Sequence, residues 1–477
     1  MRNPALCLCT AALVLASNLT PVEAGQFEKF FSDRTLRVDV HHTGTKGTES
    51  FSLDQLYEEG PWGGSLVNLA DTLNLGEYMA RVYDRAGARL IFSRGFSSMF
   101  YEWQSTDEAG AGITRTFHES VRMPMPLDPV QFTICRRDKN MDFHEVFSAV
   151  IDPASPVAVH RGKINPPFPS SALVKKGDPH VKVDIVIVGD GYTAREMAKF
   201  RADAGHFNDV MFSTEPFRSR RDDFNVWMVE AASAESGIDK PDKNIWKNTP
   251  LGTMYNTFGS ARYILTAENR HLRDILAGVP YDFILILVND DRYGGGGIYN
   301  LYTTCYTKTD KPGMEWQMDY VCVHEFGHSF GGLGDEYYSS QVSFNDFYPK
   351  GIEPWEPNLT ALVRGGKPKW ADMVTPGTSI PTPWDKTIYD SLGRERAKLD
   401  RLADDYYQKR EPIYQREMSI LHNPDLAHVV GAFEGSGYVS EGIYRPSIDC
   451  RMFSLSLGDF DPVCARGIVR VIDFYSH

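Results

Sequence analysis

The chain has 477 residues, enough for two or three domains, with 50 lysines and arginines against 63 aspartates and glutamates, a formal net charge of −13 at pH 7. That balance argues against nucleic acid and against an anionic membrane surface as partners. Five cysteines beyond residue 24 are too few for a disulfide scaffold at this length, so the fold must rest on its core.

Residues 1–24 read as a secretory signal. Arg2 gives a short positive start, Ala5 to Ala16 is apolar, and Val22-Glu23-Ala24 offers small residues for cleavage after Ala24. The apolar run is too short to span a bilayer, and no other segment approaches that length. The expectation is a soluble exported protein: secreted, periplasmic or at the cell surface. The cysteines left are Cys135, Cys305, Cys322, Cys450 and Cys464. Their odd count leaves at least one thiol free, with Cys305–Cys322 and Cys450–Cys464 as conceivable pairs.

Residues 25–156 read as an all-β sandwich. Short alternating runs such as Thr35 to Val40, Glu77 to Tyr83, Arg89 to Ser93 and Val130 to Ile134 are punctuated by Gly, Asp and Pro. Phe96, Phe100, Tyr101 and Trp103 fit a core, with a carbohydrate- or peptide-binding surface as the alternative. His41 and His42 are adjacent, so in a strand they face opposite sides and do not readily share a metal. Pro153, Pro156, Pro166, Pro167 and Pro169 interrupt regular structure over about Asp152 to Asp178, which places the domain boundary here with 157–178 as the linker.

From residue 179 onward the pattern is α/β. Val181 to Val188 is a β-branched strand running into Gly189-Asp190-Gly191, and Thr193 suits the N-cap of a helix reaching about Phe212. Phe224 to Ala232 and Tyr281 to Val288 read as further strands, with a helix near Ala261–Ala277 between them, which suggests a largely parallel sheet. Gly294 to Gly297 lacks the Lys-Ser/Thr ending of a phosphate loop and reads as a mobile loop. Ile298 to Thr304 reads as an edge strand, a place where an extended peptide is held by strand addition.

The stretch Val321 to Tyr338, VCVHEFGHSFGGLGDEYY, carries the chemistry. His324 and His328 are four residues apart and share one helical face, so both can point an imidazole nitrogen at one metal ion. Glu325 stands beside the first ligand, where it acts as general base on a water whose pKa the metal lowers. Gly331, Gly332 and Gly334 end the helix and let an acid fold back. A catalytic zinc needs a third protein ligand; Asp335 is the first choice and Glu336 the alternative. Further on, a Pro- and Trp-rich segment reaches Trp384, a mixed-charge helix spans roughly Ser391 to Met418, and Asp461 to Tyr475 reads as a closing helix. Tyr444 and Arg445 are candidate donors to a tetrahedral oxyanion. Met452 is a candidate for a methionine turn beneath the metal.

Four segments in order, VDIVIVGDGYT (Val183–Thr193), SAESGIDKP (Ser233–Pro241), HEFGHSFGGLGDEYY and GIYRPSIDCRM (Gly442–Met452), resemble the IgA-peptidase (igalysin) family of secreted bacterial zinc endopeptidases, in the metzincin group. The resemblance covers about Val181 to the C terminus. Gln26–Asp152, with FSDRTLRVDVHHTG and WGGSLVNL, resembles the N-terminal β domain of Bacteroidetes members. The resemblance implies a metzincin-like catalytic domain, Zn2+ as cofactor, His324 and His328 as ligands, Glu325 as base and Met452 as the turn methionine. The wider metzincin pattern has a third histidine at position 334, which here is glycine; the family's acid ligand then falls on Asp335. The substrate expected is a protein or peptide, with a host glycoprotein implied only by the family's name. Two rival readings keep parts of this picture: a cell-surface protein- or glycan-binding protein with a vestigial metal site, and a zinc amidase acting on cell-wall peptide.

Overall fold

The computed structural model describes residues 26–162, 165–309, 313–338, 347–399, 405–456 and 458–476, so the signal-like segment 1–24 lies outside it. The N-terminal part is two four-stranded sheets. One runs Arg115–Pro126, Phe31–Gly44, Glu49–Glu58 and Val159–His160 in that order; the other runs Arg89–Phe96, Tyr78–Asp84, Val130–Arg137 and Phe143–Ile151. Alternation puts Leu36, Val38 and Val40 of the first sheet against Tyr78, Ala80, Val82, Phe132 and Ile134 in one buried cluster.

The strand pattern gave no sign of two short helices here, Met99–Gln104 and Asp107–Gly110. Each starts at a side-chain cap: Ser98 accepts from Tyr101 N–H and Thr106 from Ala109 N–H. Phe100 and Trp103 on the first of them are fully buried. They belong to a cluster with Val186, Tyr255 and Tyr302 of the second part, so they bind the two parts together. Arg122 and Arg37 add to that seam, donating to the Tyr281 carbonyl at 2.6 Å and to Asp274 at 2.7 Å.

The stretch read as a linker contains regular structure. Val159–His160 joins the first sheet, and Ser170–Val174 is an antiparallel edge strand of the central sheet. Prolines exclude a helix there, yet an extended segment needs only one hydrogen-bonding edge.

The central sheet has the order Gly295–Ile298, Tyr302–Tyr306, Phe283–Val288, Val183–Asp190, Phe224–Val229, Ser170–Val174. The inner four strands are parallel and the two outer ones antiparallel. Every residue of Val183–Asp190 is buried, as expected for a parallel strand covered on both faces. Val183, Ile185 and Ile187 face helices Met197–Met211, Trp316–Gly331 and Pro462–Ser476, while Val186 and Val188 face helix Asn269–Leu276 and the N-terminal part. Glu196 and Thr193 form a capping box before Met197–Met211. The helix expected near Ala261–Ala277 is shorter than its pattern, because Tyr263 and Leu265 are extended and bridge Gly295 and Met254. The mixed-charge stretch is two helices, Lys386–Ala397 and Tyr406–Leu421. Among the described residues no helix is long and apolar enough to cross a membrane.

The glycine run is not a loop. Gly295–Ile298 is itself the outermost strand, and the edge expected at Ile298–Thr304 is instead its inner neighbour, Tyr302–Tyr306. A Cβ on Gly297 would stand 2.1 Å from the Glu325 carbonyl oxygen, and one on Gly295 would stand 2.7 Å from Val321 Cγ1. Glycine is required because helix Trp316–Gly331 lies directly on the strand. The free edge is also partly taken: Gly295 N–H donates to Arg262 O and its carbonyl accepts from Ile264 N–H, both at 3.1 Å. This narrows the room for strand addition.

Candidate metal centre

Helix Trp316–Gly331 stops at Gly332, whose φ of 60° and ψ of 30° are left-handed, and Leu333 N–H then closes on Gly327 O at 3.3 Å. The chain thus turns back beside the helix it has just left. His324 Nε2 and His328 Nε2 stand 3.3 Å apart. Asp335 Oδ1 lies 3.0 Å from the first and 3.2 Å from the second. Donors held about 2.0–2.1 Å from a tetrahedral zinc stand about 3.3 Å from one another, so the three atoms fit one ion.

The outer atoms of all three residues are spoken for. His328 Nδ1 donates to Leu333 O at 2.6 Å, and His324 Nδ1 donates to Arg451 O at 3.0 Å. Carbonyl oxygens only accept, so each ring carries a proton on Nδ1 and leaves Nε2 as the atom turned inward, free to give up any proton it holds to a bound cation. Asp335 Oδ2 accepts from the Tyr438 hydroxyl at 2.6 Å, while Oδ1 is buried and has no hydrogen-bond donor. A buried carboxylate oxygen between two inward imidazole nitrogens is an arrangement that a bound cation would satisfy.

The electrostatics ask for positive charge at the same point. Burial works against charge on His328, but the Asp335 carboxylate outweighs it and pushes the imidazole up to about 10. Burial likewise opposes charge on Asp335, and the two imidazoles nevertheless hold its carboxyl well below the usual range.

Asp335 and Glu336 are neighbours outside any helix or strand, and their side chains diverge. Glu336 is fully buried away from the histidines, its Oε1 accepting from Asn358 Nδ2 at 2.9 Å and Cys464 Sγ at 3.1 Å. Of the two acids left open by the sequence, Asp335 is the one beside His324 and His328. Asn358 is also fully buried; it clamps Gly334, accepting from its N–H at 2.8 Å and donating to its carbonyl at 2.9 Å.

Glu325 is part-exposed and opens on a cavity of about 410 Å3 that also reaches His324, His328 and Asp335. Burial raises its pKa, with His324 and His328 pulling the other way. Met452 is fully buried, its sulfur 3.0 Å from where a Cβ on Gly327 would stand. Gly327 lies between the two histidines on the helix, so the thioether packs under the ligand-bearing turn.

Two expected residues lie elsewhere. Tyr444 points its hydroxyl at Glu434 at 3.4 Å, and its backbone pairs with Thr360. Arg445 is fully buried, donating to Gly435 O at 2.7 Å and Ile448 O at 3.0 Å with its guanidinium over the Phe453 ring. Neither lines the cavity, because strand Val439–Arg445 pairs antiparallel with Phe433–Ser436 and presents these side chains to its own hairpin.

Sequence reasoning missed Tyr438. It sits in the tip of that hairpin with φ of 66°, and Gly437 N–H and Tyr438 N–H donate to the carbonyls of Asp335 and Tyr337 at 2.9 and 3.1 Å. The turn is readable from its glycines; its target, about a hundred residues upstream, is not. Arg262 was also missed. It lines the cavity and donates to the Tyr337 hydroxyl at 3.4 Å. Ser97, Glu77 and Glu102 bring the N-terminal part to the cavity wall.

The five cysteines are all free thiols. Cys450 and Cys464 are neighbours with sulfurs 3.8 Å apart, beyond bonding distance.

No curated protein matches the chain. A family model described as Peptidase M64 N-terminus matches residues 26–148, and one described as IgA Peptidase M64 matches residues 171–472, a span that takes in the helix, its return through Asp335 and the turn at Met452. The chain belongs to the IgA peptidase M64 family and is a peptidase.

Proposed function

We propose that the protein is an exported zinc endopeptidase of the metzincin type, with His324, His328 and Asp335 as metal ligands and Glu325 as general base. One observation carries this reading: three inward donor atoms lie 3.0–3.3 Å apart while the outer atom of each side chain is already bonded. Zinc, when bound, supplies a Lewis acid for the scissile carbonyl and lowers the pKa of water toward neutrality. Glu325 takes the proton of the attacking water and passes it to the leaving amine nitrogen. Its partial burial in the cavity wall supports that role, since a carboxylate with raised proton affinity is a better base. Arg262 offers a fixed positive charge at the cavity wall for the developing oxyanion. Met452 supports the helical turn that carries both histidines. The substrate is a protein or peptide lying in the cavity between the Ser97 and Glu102 wall and the Tyr337 and Tyr438 wall. Immunoglobulin A is the first host glycoprotein to test, on the strength of the family's description alone.

The test is cleavage profiling of a proteome and of immunoglobulin A with the purified protein and its Glu325→Gln variant. New N termini should appear with the wild type and fall by about 10²–10⁴ in rate with the variant, which keeps its zinc. Identical peptide sets from the two proteins would refute the assignment.

A further inference from the structure

A second cluster of ligand-type side chains lies behind the first. Glu336, Cys450, Asp461 and Cys464 are all buried, and one donor atom of each lies within 4.8 Å of all the others. They come from three segments: the residue after Asp335, the turn two residues before Met452, and the start of helix Pro462–Ser476.

The sulfurs of Cys450 and Cys464 are 3.8 Å apart. Two thiolates about 2.3 Å from a tetrahedral zinc have about that separation, whereas a disulfide would hold them at about 2.05 Å. Cys450 Sγ accepts from Met452 N–H at 3.4 Å and Asp461 N–H at 3.3 Å. Cys464 sits in the first turn of a 15-residue helix, with its sulfur 3.1 Å from Glu336 Oε1 as well as beside Cys450.

The carboxylates repeat the arrangement seen at Asp335. Glu336 Oε1 accepts from Asn358, and Asp461 Oδ1 accepts from Val463 N–H at 2.7 Å and Cys464 N–H at 3.1 Å. Their other oxygens, Glu336 Oε2 and Asp461 Oδ2, are buried with no donor, in side chains only 0% and 6% exposed. Two carboxyl groups facing one another in a dry interior need either a shared proton or a cation between them.

We propose that Glu336, Cys450, Asp461 and Cys464 form a second, structural metal site for a zinc-type divalent cation, with two thiolate and two carboxylate donors. On binding, the thiol protons, and any proton shared by the carboxyls, leave to solvent as four metal–ligand bonds form, with no change of oxidation state. The backbone N–H groups at Cys450 and Asp461 and the nearby Arg445 guanidinium offset the remaining negative charge. The site ties the ligand-bearing segment to the methionine turn, which already share the bond from Glu336 N–H to Met452 O at 2.9 Å. It needs no assumption about the first centre.

The experiment uses the full chain and a His324→Ala/His328→Ala double variant, reconstituted with cobalt(II) and read by absorption and metal content. A thiolate-to-cobalt charge-transfer band in the near ultraviolet is expected in both proteins, since histidine and aspartate alone cannot give it. The double variant should still bind one ion per chain, and Cys450→Ala/Cys464→Ala should lose the band. A folded double-histidine variant without the band would overturn the proposal. So would a Cys450–Cys464 disulfide found by mass spectrometry of the unreduced protein. If the cysteine variant fails to fold, the double-histidine variant still decides.

Discussion

Replacing Gly297 by alanine tests the packing that positions the helix carrying His324, Glu325 and His328. The added methyl would stand 2.1 Å from the Glu325 carbonyl oxygen, short by about 1.3 Å of the 3.4 Å at which ordinary contact begins. Its other neighbours are the Glu325 carbonyl carbon and His328 Cβ, both at 3.0 Å, so the obstruction is helix backbone rather than a flexible side-chain end. Strand or helix must therefore move by about 1 Å at the very turn that carries His324, Glu325 and His328. Overpacking of this kind costs about 1–3 kcal/mol, and a displacement of about 1 Å in a catalytic group costs about 10²-fold in rate. Gly205→Ala is the matched control: it lies in helix Met197–Met211 with nothing within 4 Å of its Cβ position, and should be neutral or stabilising by up to ~1 kcal/mol. Urea unfolding and kcat/KM on a quenched peptide, measured side by side, are the assay. A Gly297→Ala protein with wild-type stability and turnover would show that the helix does not rest on this strand as described.

Other perturbations separate the parts of the site. Tyr438→Phe removes the donor to Asp335 Oδ2 and should weaken zinc affinity by about 10–100-fold in a chelator competition, with little change in melting temperature. Asn358→Ala strands the Gly334 N–H and carbonyl and removes one of the two donors to Glu336 Oε1, so it should cost about 3 kcal/mol in urea unfolding and weaken zinc binding, because Asp335 hangs on the same segment. Burial raises Glu77 from its ordinary 4.5 to about 7, so the folded chain keeps a proton that the unfolded chain has released. Its contribution to stability is present below pH 4.5 and is lost as pH rises through about 7, by up to ~3 kcal/mol. Glu77→Gln keeps the acceptor for Trp355 Nε1 and should gain on the wild type between pH 5 and pH 8; a constant difference across that range would refute the assignment.

What could be read from the residues alone depended on how local the cause was. The pairing of His324 with His328 follows from helical period, and the burial of Ile185 to Val188 from a run of four β-branched residues, so both were legible. The choice between Asp335 and Glu336 was narrowed but not closed, because it turns on which face of the returning segment meets the helix. Asn358 and Cys464, which draw Glu336 to the other side, are far away in sequence. The glycine run misled for a related reason. Glycine signals freedom locally, and here it answers to a helix backbone pressed onto a strand, which no local pattern reports. Tyr444 and Arg445 were near the right turn in sequence, but hairpin pairing directs them to Glu434, Gly435 and Ile448. Tyr438, six residues before Tyr444, is the residue of that hairpin that reaches Asp335.

The most direct measurement is anomalous X-ray diffraction at the zinc edge from crystals of the Glu325→Gln protein, whose ligands are untouched. A peak is predicted about 2.0–2.2 Å from His324 Nε2, His328 Nε2 and Asp335 Oδ1 together. A protein crystallised with zinc that gives no peak at those three atoms, or a peak there that leaves Asp335 out of contact, would contradict the account.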